Sequence, residues 1–462
     1  MKADRLLLQE KEAFAKIQAP CPYFGTCGGC RLQDLAYADQ LALKKQRLLR
    51  SLGTLDPTLT MEIVGLDDPW RYRNKAELTF SESRPPASSP QPATSSASLD
   101  TTRDASLPRA EGRARHEVSE VERAAQAGIP TSGQTGGGTP AQGAHRVTLG
   151  YHAARSFWRI VDLEDCLLLP ESMSRILRDA RALAQQTGQP SYNPRAHQGF
   201  FRHLLIRASH ATQRLLVCLI TTPGDRALIE RFAEELTARH PAITSFYWGV
   251  NSKVADVAIP DELVLMRGAP YLEDRIGPFR LKLHPMNFLQ PNPVQAERMY
   301  ARLCAWVSHA PDGVAWDLYC GIGLVGFYLS SHYRTVYGID MDARNLEMAR
   351  LNATENAIRN VQFHAGRVED LLANKRFWLV EARPQLIVVD PPRSGLHPRV
   401  IASLLAARPQ QIIYLSCNTQ ALARDLQQLV SGFPRYRLAR SIAFDLFPHT
   451  DHLEVLTLLE RA

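Results

Sequence analysis

The chain has 462 residues, of which 45% are hydrophobic, so it is long enough for two or three domains with separate cores. Its net charge of +7 and its pI near 9.0 favour a polyanionic partner such as nucleic acid, although only mildly over this length. The charged, helix-like start and the lack of a long apolar run argue against a signal peptide and a membrane span, so we expect a cytoplasmic protein.

The spacing of the first cysteines suggests a metal site. Cys21, Cys27 and Cys30 lie close together, and Cys166 follows after a long gap. In a cytoplasmic chain, where thiols are kept reduced, such cysteines indicate metal binding or catalysis rather than disulfides. Four thiolates can close a coordination shell, but their spacing alone does not distinguish zinc from an iron–sulfur cluster.

Residues 81–145 differ in composition from the rest of the chain. They include no Phe, Trp, Tyr, Met or Cys and are rich in Ser, Pro, Ala, Gly and Thr, so they cannot bury enough apolar surface to become ordered. They separate two alternating runs, WRYRNKAELTF and HRVTLGYHAARSFWRIVDL, which predict a hairpin. We therefore expect a disordered insertion at the hairpin tip. Its arginines leave open an RNA-contacting arm, but a dispensable loop fits the lack of stacking residues better.

The segment between the insertion and residue 290 has a mixed pattern. A helix is predicted from Pro170 to about Thr187, and the predicted strands are Leu204–Ala208, Leu215–Thr221 and Ser245–Val250. Together with the residues before the insertion, this segment predicts an α+β domain over residues 1–290.

Strands and helices alternate after residue 290. Asn292 and Pro293 have the pattern of a helix N-cap and a first helical residue, and the strand-like runs that follow are VAWDLY, TVYGID, QLIVVD and QIIYLSC. This alternation predicts a doubly wound, Rossmann-like parallel sheet over residues 291–462. Two final strand-like runs have no helix between them, so the sheet should end in an antiparallel hairpin. The predicted fold class is therefore α/β, with this domain following the α+β domain.

A glycine-rich loop follows the first strand of the predicted parallel sheet. Gly321, Gly323 and Gly326 would let the backbone approach a ligand, and Asp340, nineteen residues after the first of them, could accept hydrogen bonds from ribose hydroxyls. Taken alone, the loop fits NAD as well as S-adenosylmethionine. The terminal hairpin and the DPP run that begins at Asp390, at the carboxyl end of a strand, favour the methyl donor.

Cys417 has the features of a nucleophile. It lies just beyond an apolar strand and should reach the same sheet edge as Asp390. A buried core cysteine is the alternative, but the polar neighbours Ser416 and Asn418 favour catalysis. Uracil C5 becomes nucleophilic only after a thiolate adds to C6, and a base must later remove the C5 proton. Methylation of exocyclic amines is disfavoured, because Arg393 stands where those enzymes have an aromatic residue.

Glu454 is the candidate base. It lies in PHTDHLEVLTLL, and a carboxylate on an otherwise apolar strand requires a partner or a function. His449, His452 and Glu454 could instead form a metal site, but no other feature supports an open coordination geometry. We interpret the two histidines as RNA contacts or as structural residues of the loop.

Taken together, these motifs resemble those of the bacterial RNA uracil-C5 methyltransferases. The resemblance covers almost the whole chain outside residues 81–145, and its motifs are FLQPNP at Phe288–Pro293, DLYCGIG at Asp317–Gly323, DPPR at Asp390–Arg393, SCN at Ser416–Asn418 and FPHTDHLEVLTLL near the end. Within the family, RNKAE and FDLFPHTDHLEVLTLL look closer to enzymes that modify 23S ribosomal RNA. Asp390 departs from that pattern, because those enzymes often have Asn before the two prolines, and the insertion is a second departure.

The resemblance implies a role for each site residue. Cys417 would be the nucleophile and Glu454 the proton-abstracting base. The residues expected to contact S-adenosylmethionine are Gln290, Tyr319, Asp340 and Asp390. The residues expected to hold a [4Fe-4S] cluster in the amino-terminal domain are Cys21, Cys27, Cys30 and Cys166. Four thiolates would saturate that cluster, so we interpret it as structural or RNA-positioning rather than as a source of radicals.

The sequence therefore predicts a monomeric enzyme that methylates C5 of a uracil in 23S ribosomal RNA. The same chemistry on another ribosomal RNA or on a tRNA is the nearest alternative, because these motifs do not reveal the target base. A non-catalytic RNA-binding factor of ribosome assembly is a different class of function, which the intact Cys417 and Glu454 disfavour. A NAD-dependent oxidoreductase is the third alternative.

Overall fold

Two large β-sheets organise the part of the protein that the computed structural model describes, residues 2–53, 55, 61–83, 146–376, 378 and 382–462. The elements before residue 290 are α1 (Lys2–Lys11), α2 (Tyr37–Leu52), β1 (Glu62–Val64), β2 (Lys75–Ser83), β3 (Arg146–His152), β4 (Ile160–Asp162), α3 (Glu171–Gln186), β5 (Phe201–Ala208), β6 (Leu215–Thr221), α4 (Arg226–Arg239), β7 (Ile243–Val250), β8 (Glu262–Gly268), β9 (Leu272–Ile276) and β10 (Phe279–Leu283). The later elements are α5 (Pro293–Trp306), β11 (Ala310–Leu318), α6 (Leu324–Leu329), β12 (Tyr333–Asp340), α7 (Ala343–Glu355), β13 (Val361–Ala365), α8 (Val368–Leu371), β14 (Leu386–Val389), α9 (Pro398–Ala407), β15 (Gln411–Ser416), α10 (Thr419–Ser431), β16 (Tyr436–Phe444) and β17 (Glu454–Arg461). Within these ranges, no helix is both long enough and apolar enough to cross a membrane.

The first sheet has seven strands in the order β4–β3–β2–β5–β6–β7–β8. Strand β6, with the apolar sequence LLVCLIT, is buried along its whole length because both faces of the sheet are covered. Val217 and Leu219 pack in one core with residues of α3 and α4, whereas Leu216 and Cys218 belong to a core that continues into the second sheet. The helix and the three strands predicted between the insertion and residue 290 are all present.

The strands that flank the insertion, β2 and β3, are hydrogen-bonded neighbours in this sheet. The Thr148 hydroxyl also donates to the Ser81 carbonyl at 3.1 Å. The two runs predicted as a hairpin are therefore paired. Strand β2 continues to Ser83, beyond the point where composition suggests disorder, because backbone pairing does not require apolar side chains. The predicted disorder of the remaining residues, 84–145, lies outside the described residues.

The second sheet has eight strands in the order β1–β16–β17–β15–β14–β11–β12–β13. Strands β11 to β15 are parallel and the β16–β17 pair is antiparallel, as the sequence predicts. Strand β13, with the sequence VQFHA, is missing from the prediction, since a short, partly polar edge strand gives a weak pattern. The carboxyl ends of the parallel strands form one edge, which is where ligands bind in open α/β sheets.

Residues near the amino terminus also join the second sheet. Strand β1 pairs in parallel with β16, with Glu62 opposite Ile442, and α2 packs against α10. A strand of three residues gives no periodicity that a sequence pattern could reveal. The described residues up to Ser83 and from Val147 onward form one compact unit. Residues before 290 therefore contribute to both large sheets.

Candidate active site

The glycine-rich loop connects β11 to α6. Tyr319, Gly321 and Gly323 have positive φ angles of 66°, 54° and 85°, which glycine adopts readily and tyrosine rarely does. A Cβ on Gly323 would lie 2.8 Å from the Phe363 ring, whereas one on Gly321 would meet no atom of the described residues within 4 Å. Glycine is therefore favoured at 321 by the backbone conformation, and open space lies beside it.

Two aspartates hold this loop in place. The Gly321 amide donates to Asp340 Oδ2 at 2.9 Å, and the Gly326 amide donates to Asp317 Oδ2 at 2.8 Å. Burial raises the pKa of Asp317 to about 8. Asp340 ends β12, and its Oδ1 accepts the Asp342 amide at 2.8 Å. The acid that the spacing predicts therefore also fixes the loop that precedes it.

Gln290 reaches the same edge from the segment before α5. Its carbonyl accepts a hydrogen bond from Asn74 Nδ2 at 3.1 Å, and the Asn74 amide donates to the Pro291 carbonyl at 2.9 Å. Asn292 then caps α5, because its Oδ1 accepts the Gln295 amide at 3.2 Å. These bonds fix the backbone around Gln290, which is buried.

The register of two antiparallel strands brings Cys417 and Glu454 together. Strand β15 ends at Ser416 and pairs with β17, in which Val455 lies opposite Ser416. Cys417 directly follows Ser416, and Glu454, the first residue of β17, directly precedes Val455. The Glu454 carboxylate is close enough to raise the pKa of Cys417. The predicted nucleophile and the predicted base therefore occupy adjoining positions at the carboxyl edge of the sheet.

Burial and charge repulsion raise the pKa values of the acids in this site. Glu454 is only 2% exposed, and burial together with the nearby Asp390 carboxylate raises its pKa well above the usual range. Burial likewise raises the pKa of Asp390. Glu454 Oε1 has no hydrogen-bond partner among the described residues. A buried carboxylate with an unpaired oxygen is available to accept a proton from a bound molecule.

Neighbouring groups shift the pKa of the Cys417 thiol in opposite directions. Burial raises its pKa first, and the Glu454 and Asp390 carboxylates raise it further. The Arg393 guanidinium acts in the opposite sense, because its positive charge lowers the pKa of both Cys417 and Glu454. Its Nη2 also lies 3.3 Å from His452 Nε2. From the sequence, Arg393 is only the last residue of the DPPR motif and an argument against amine methylation, although its position directly after the two prolines is a signal for a site residue.

The histidines before β17 have structural contacts. The His449 ring stacks on Trp70 with centroids 3.7 Å apart, and its Nδ1 lies 3.2 Å from Gln40 Nε2. The His452 ring packs edge-on against Phe447 with centroids 5.9 Å apart. Across the described ranges, no three or more His, Cys, Asp or Glu side chains are arranged to hold a metal ion. These contacts favour the interpretation of His449 as a structural residue of the loop.

One cavity of about 1810 Å³ brings the predicted site residues together. Those expected to take part in catalysis and cofactor binding all line it: Gln290, Tyr319, Asp340, Asp390, Cys417 and Glu454. The predicted metal ligands line it as well: Cys21, Cys27, Cys30 and Cys166. The cavity thus combines a thiol, a buried carboxylate and a glycine-rich loop of the nucleotide-binding type.

The four cysteines converge near the β3–β4 hairpin. Cys27 forms an isolated β-bridge with Ala153, and Cys166 follows β4. The pKa of Cys30 is raised to about 12 and that of Cys166 to about 11, mainly by burial and in part by the neighbouring thiols. The sulfurs are thus close enough to interact electrostatically. They are not arranged as a metal-binding group within the described part of the chain, so the predicted cluster stays a hypothesis.

Comparison with known proteins finds a family match in the carboxyl-terminal part of the chain. Residues 274–462 match the sequence profile of a family described as tRNA (Uracil-5-)-methyltransferase. This part of the chain is therefore similar to that family. An uncharacterized RNA methyltransferase of Chlorobaculum tepidum is 28% identical over 97% of this chain and 84% of its own length. Another, from Listeria monocytogenes, is 29% identical over 97% of this chain and 85% of its own length.

A solved structure has the same fold. The tRNA (uracil-54, C5)-methyltransferase of Pyrococcus abyssi, in complex with S-adenosyl-L-homocysteine, is similar with a TM-score of 0.64 and 23% identity, covering 93% of this chain and 85% of that chain. The predicted α/β methyltransferase fold is therefore confirmed. The part that matches the uracil-5-methyltransferase family contains Cys417, Glu454 and the glycine-rich loop.

Proposed function

We propose that the protein is an S-adenosylmethionine-dependent methyltransferase that forms 5-methyluridine in RNA through a covalent bond from Cys417 to uracil C6. The observation that carries this proposal is the juxtaposition of Cys417 and Glu454 in the cavity that the glycine-rich loop also lines. Methylation of uracil C5 requires one nucleophile and one base. The match of residues 274–462 to the uracil-5-methyltransferase family supports the same reaction.

The cofactor would lie at the carboxyl ends of the parallel strands. The open space beside Gly321 and the carboxylate of Asp340 fit a nucleoside with free ribose hydroxyls. The other residues that we assign to this site, all on the same cavity, are Gln290, Tyr319 and Asp390. When bound, S-adenosylmethionine supplies an electrophilic methyl group. The Pyrococcus abyssi enzyme, solved with S-adenosyl-L-homocysteine, supports this cofactor class.

Cys417 starts the reaction as a thiolate. Its raised pKa disfavours the ionised form in the free protein, and the Arg393 guanidinium is the cation that offsets this. The sulfur forms a bond to uracil C6, and the electrons of the C5–C6 double bond move toward the O4 carbonyl. C5 thereby becomes nucleophilic enough to accept a methyl group.

Glu454 completes the reaction once C5 carries the methyl group. A base must take the C5 proton so that the C6–S bond breaks and the C5–C6 double bond forms again. Glu454 Oε1 is free to accept this proton, since it has no partner among the described residues. Its raised pKa, caused by burial and by Asp390, makes the Glu454 carboxylate a stronger base than an ordinary glutamate.

We propose a uracil of 23S ribosomal RNA as the target. The motifs RNKAE and FDLFPHTDHLEVLTLL support this choice, because they resemble those of the RlmC type of uracil-C5 methyltransferase. A tRNA is the second candidate, because the matched family and the Pyrococcus abyssi enzyme are both described by a tRNA substrate. The net charge of +7 suits either RNA.

We also propose that the four cysteines hold a [4Fe-4S] cluster. Four thiols around one wall of a cavity form a donor set that suits iron–sulfur clusters, and zinc is the alternative with the same donors. The cluster would connect the segment with Cys21, Cys27 and Cys30 to the β3–β4 hairpin and Cys166. Its role would be structural or RNA-positioning, since four protein ligands leave no iron open.

The proposal is tested with RNA transcripts and purified protein. Full-length 23S ribosomal RNA and a tRNA pool are incubated with S-adenosylmethionine, and their nucleosides are analysed by mass spectrometry. We expect 5-methyluridine in 23S ribosomal RNA with the wild type and none with Cys417→Ala. Methylation of tRNA alone would show that tRNA is the target instead of 23S ribosomal RNA, and it would still support the proposed reaction. No methylated nucleoside in either RNA would favour a non-catalytic assembly factor, and thermal stabilisation by NAD instead of S-adenosylmethionine would favour an oxidoreductase.

A further inference from the structure

The tip of the β3–β4 hairpin carries an exposed aromatic and basic patch that the proposed reaction does not use. We call residues 154–159, with the sequence ARSFWR, together with Arg195 the hairpin patch. Phe157 is 84% exposed and Trp158 is 55% exposed. We propose that the hairpin patch stacks unpaired bases of the RNA that flank the target uracil. This inference rests on the proposed function, because it presupposes an RNA substrate.

The tip of the hairpin is well ordered by its own hydrogen bonds. Ser156 Oγ accepts from the amides of Trp158 and Arg159 at 3.3 and 3.1 Å. The Ala153 amide donates to the Arg159 carbonyl at 2.7 Å, and the Ser156 amide donates to the Ala153 carbonyl at 3.0 Å. The two rings are therefore presented by a preformed turn, which reduces the entropy lost when a ligand binds.

Further bonds attach this turn to the body of the protein. The Ala154 amide donates to the Thr26 carbonyl at 2.8 Å, and the Gly28 amide donates to the His152 carbonyl at 3.0 Å. A Cβ at Gly28 would lie 3.0 Å from that same carbonyl oxygen, so the two segments are in close contact. The position of the hairpin patch relative to the cavity is therefore set by backbone contacts rather than by side chains alone.

The charge around the two rings suits a polyanion. Arg155, Arg159 and Arg195 are exposed, and no carboxylate of the described residues pairs with any of them. The Arg195 guanidinium lies over the Trp158 ring, 4.7 Å from its centroid. Proteins bind single-stranded nucleic acid with this combination of aromatic rings and cations, because bases stack on the rings while the cations neutralise phosphates.

The hairpin patch also lies where the flanking RNA must pass. Arg155 and Phe157 line the same cavity as Cys417 and Glu454. A uracil that reaches Cys417 must leave its stack, so the neighbouring bases lose a stacking partner. Phe157 and Trp158 can replace that partner. The patch thus fits the nucleotides next to the target rather than the target base itself.

The test compares the exposed aromatic residues of the hairpin patch with an exposed aromatic residue outside it. Phe157→Ala and Trp158→Ala should each raise the Kd for a labelled single-stranded oligouridylate by about 5-fold to about 100-fold, the range expected when one base loses its stacking ring. Phe157→Tyr and Trp158→Phe should keep most of the affinity, because the rings remain. Phe433→Ala is the matched control, since Phe433 is 79% exposed and its ring centroid lies 5.4 Å from the Arg408 guanidinium, but it is outside the hairpin patch.

RNA with an abasic nucleotide separates the contribution of base stacking to affinity from that of charge. The RNA that the wild type methylates is prepared with one base removed at each flanking position in turn. If Phe157 stacks on a given base, removal of that base should weaken RNA binding by the wild type. The Phe157→Ala variant already lacks the ring, so its affinity for the abasic RNA should be close to its affinity for the intact RNA. The loss should appear in KM for the RNA rather than in kcat. Arg195→Ala should mainly reduce the salt dependence of binding.

Three outcomes are distinguishable. Affinities of Phe157→Ala and Trp158→Ala equal to those of the wild type would overturn the inference, even if methylation proceeds normally. Weakened binding by both variants, rescued by the aromatic replacements and absent in Phe433→Ala, would support it. A wild type that neither binds nor methylates any RNA would overturn the proposed function and this inference together.

Discussion

The Lys44 ammonium lies 2.6 Å from the Asp445 carboxylate, and both side chains are buried. The same carboxylate accepts a hydrogen bond from the Tyr37 hydroxyl at 3.0 Å, and Lys44 also donates to the Phe447 carbonyl at 3.1 Å. These contacts attach α2 to the loop that leads into Glu454. A helix near the amino terminus therefore helps to position the base of the proposed reaction.

Lys44→Ala should destabilise the protein strongly. The substitution leaves the Asp445 carboxylate buried without its cation, which costs about 3–5 kcal/mol of the free energy of unfolding. Denaturation by urea measures this loss. The matched control is Arg226→Ala, which removes an ion pair to Glu230 whose side chains are 63% and 55% exposed. It should cost at most about 1 kcal/mol, and equal losses in the two variants would contradict the role of burial.

Arg393 should control the pH dependence of the reaction. Burial and neighbouring carboxylates raise the pKa of Cys417, so kcat/KM should increase with pH as the thiol ionises. Arg393→Gln removes the cation that lowers the pKa of Cys417 and Glu454, so this rising limb should move to higher pH. Arg393→Lys should restore part of the shift. Initial rates of 5-methyluridine formation over a pH series give the position of the rising limb. Identical pH profiles of the wild type and Arg393→Gln would contradict this role.

The local patterns of the sequence predict the members of the site but not their contacts. Cys417 follows an apolar strand and Glu454 begins one, so each stands out in its own segment. Their juxtaposition depends on the register of β15 and β17, which becomes defined only when the two strands pair. The buried pair of Lys44 and Asp445 joins residues that are 401 positions apart, a relation that no local pattern contains.

Local sequence patterns likewise predict some elements of the fold and miss others. The alternation of strands and helices after residue 290 predicts the parallel sheet, because long apolar runs give a clear period. Strand β1 has three residues and takes its place only through pairing with β16. The contribution of the amino-terminal segment to the second sheet is therefore a tertiary property.

A chain without residues 85–143 should fold and remain active. Strands β2 and β3 are hydrogen-bonded neighbours on either side of this segment, so a shorter connection keeps both strands in the sheet. The entropy of closing a loop changes slowly with loop length, so we expect little change in stability. Thermal unfolding and methylation assays of the shortened and full chains provide the comparison. An insoluble shortened chain would show that the insertion has a structural role.

Protein purified without oxygen should contain about four irons per chain and absorb visible light, as expected for one [4Fe-4S] cluster. Cys166→Ser should lower the iron content and the thermal stability. Cys304→Ser is the matched control, because it removes a cysteine outside the proposed ligand set and should keep the iron. Metal analysis that finds zinc without visible absorption would exclude the cluster.

Cys417→Ala and Glu454→Gln should stop the reaction at different stages. Without a thiol, nothing can add to uracil C6, so Cys417→Ala should form neither 5-methyluridine nor a covalent complex with RNA. Glu454→Gln keeps the thiol but cannot remove the C5 proton, so the methylated RNA should stay bonded to Cys417 and accumulate. Denaturing gel electrophoresis with labelled RNA and S-adenosylmethionine detects this complex as a slowly migrating band.

The double variant completes this comparison, because the band of Glu454→Gln should vanish when Cys417→Ala is added. A single-stranded loop should trap more protein than a duplex of the same sequence, since the target base must first leave its stack. Two results would overturn the assignment of roles: a covalent band with Cys417→Ala, or normal turnover with Glu454→Gln. The first would mean that another residue attacks C6, and the second that another group, such as the neighbouring Asp390 carboxylate, removes the C5 proton.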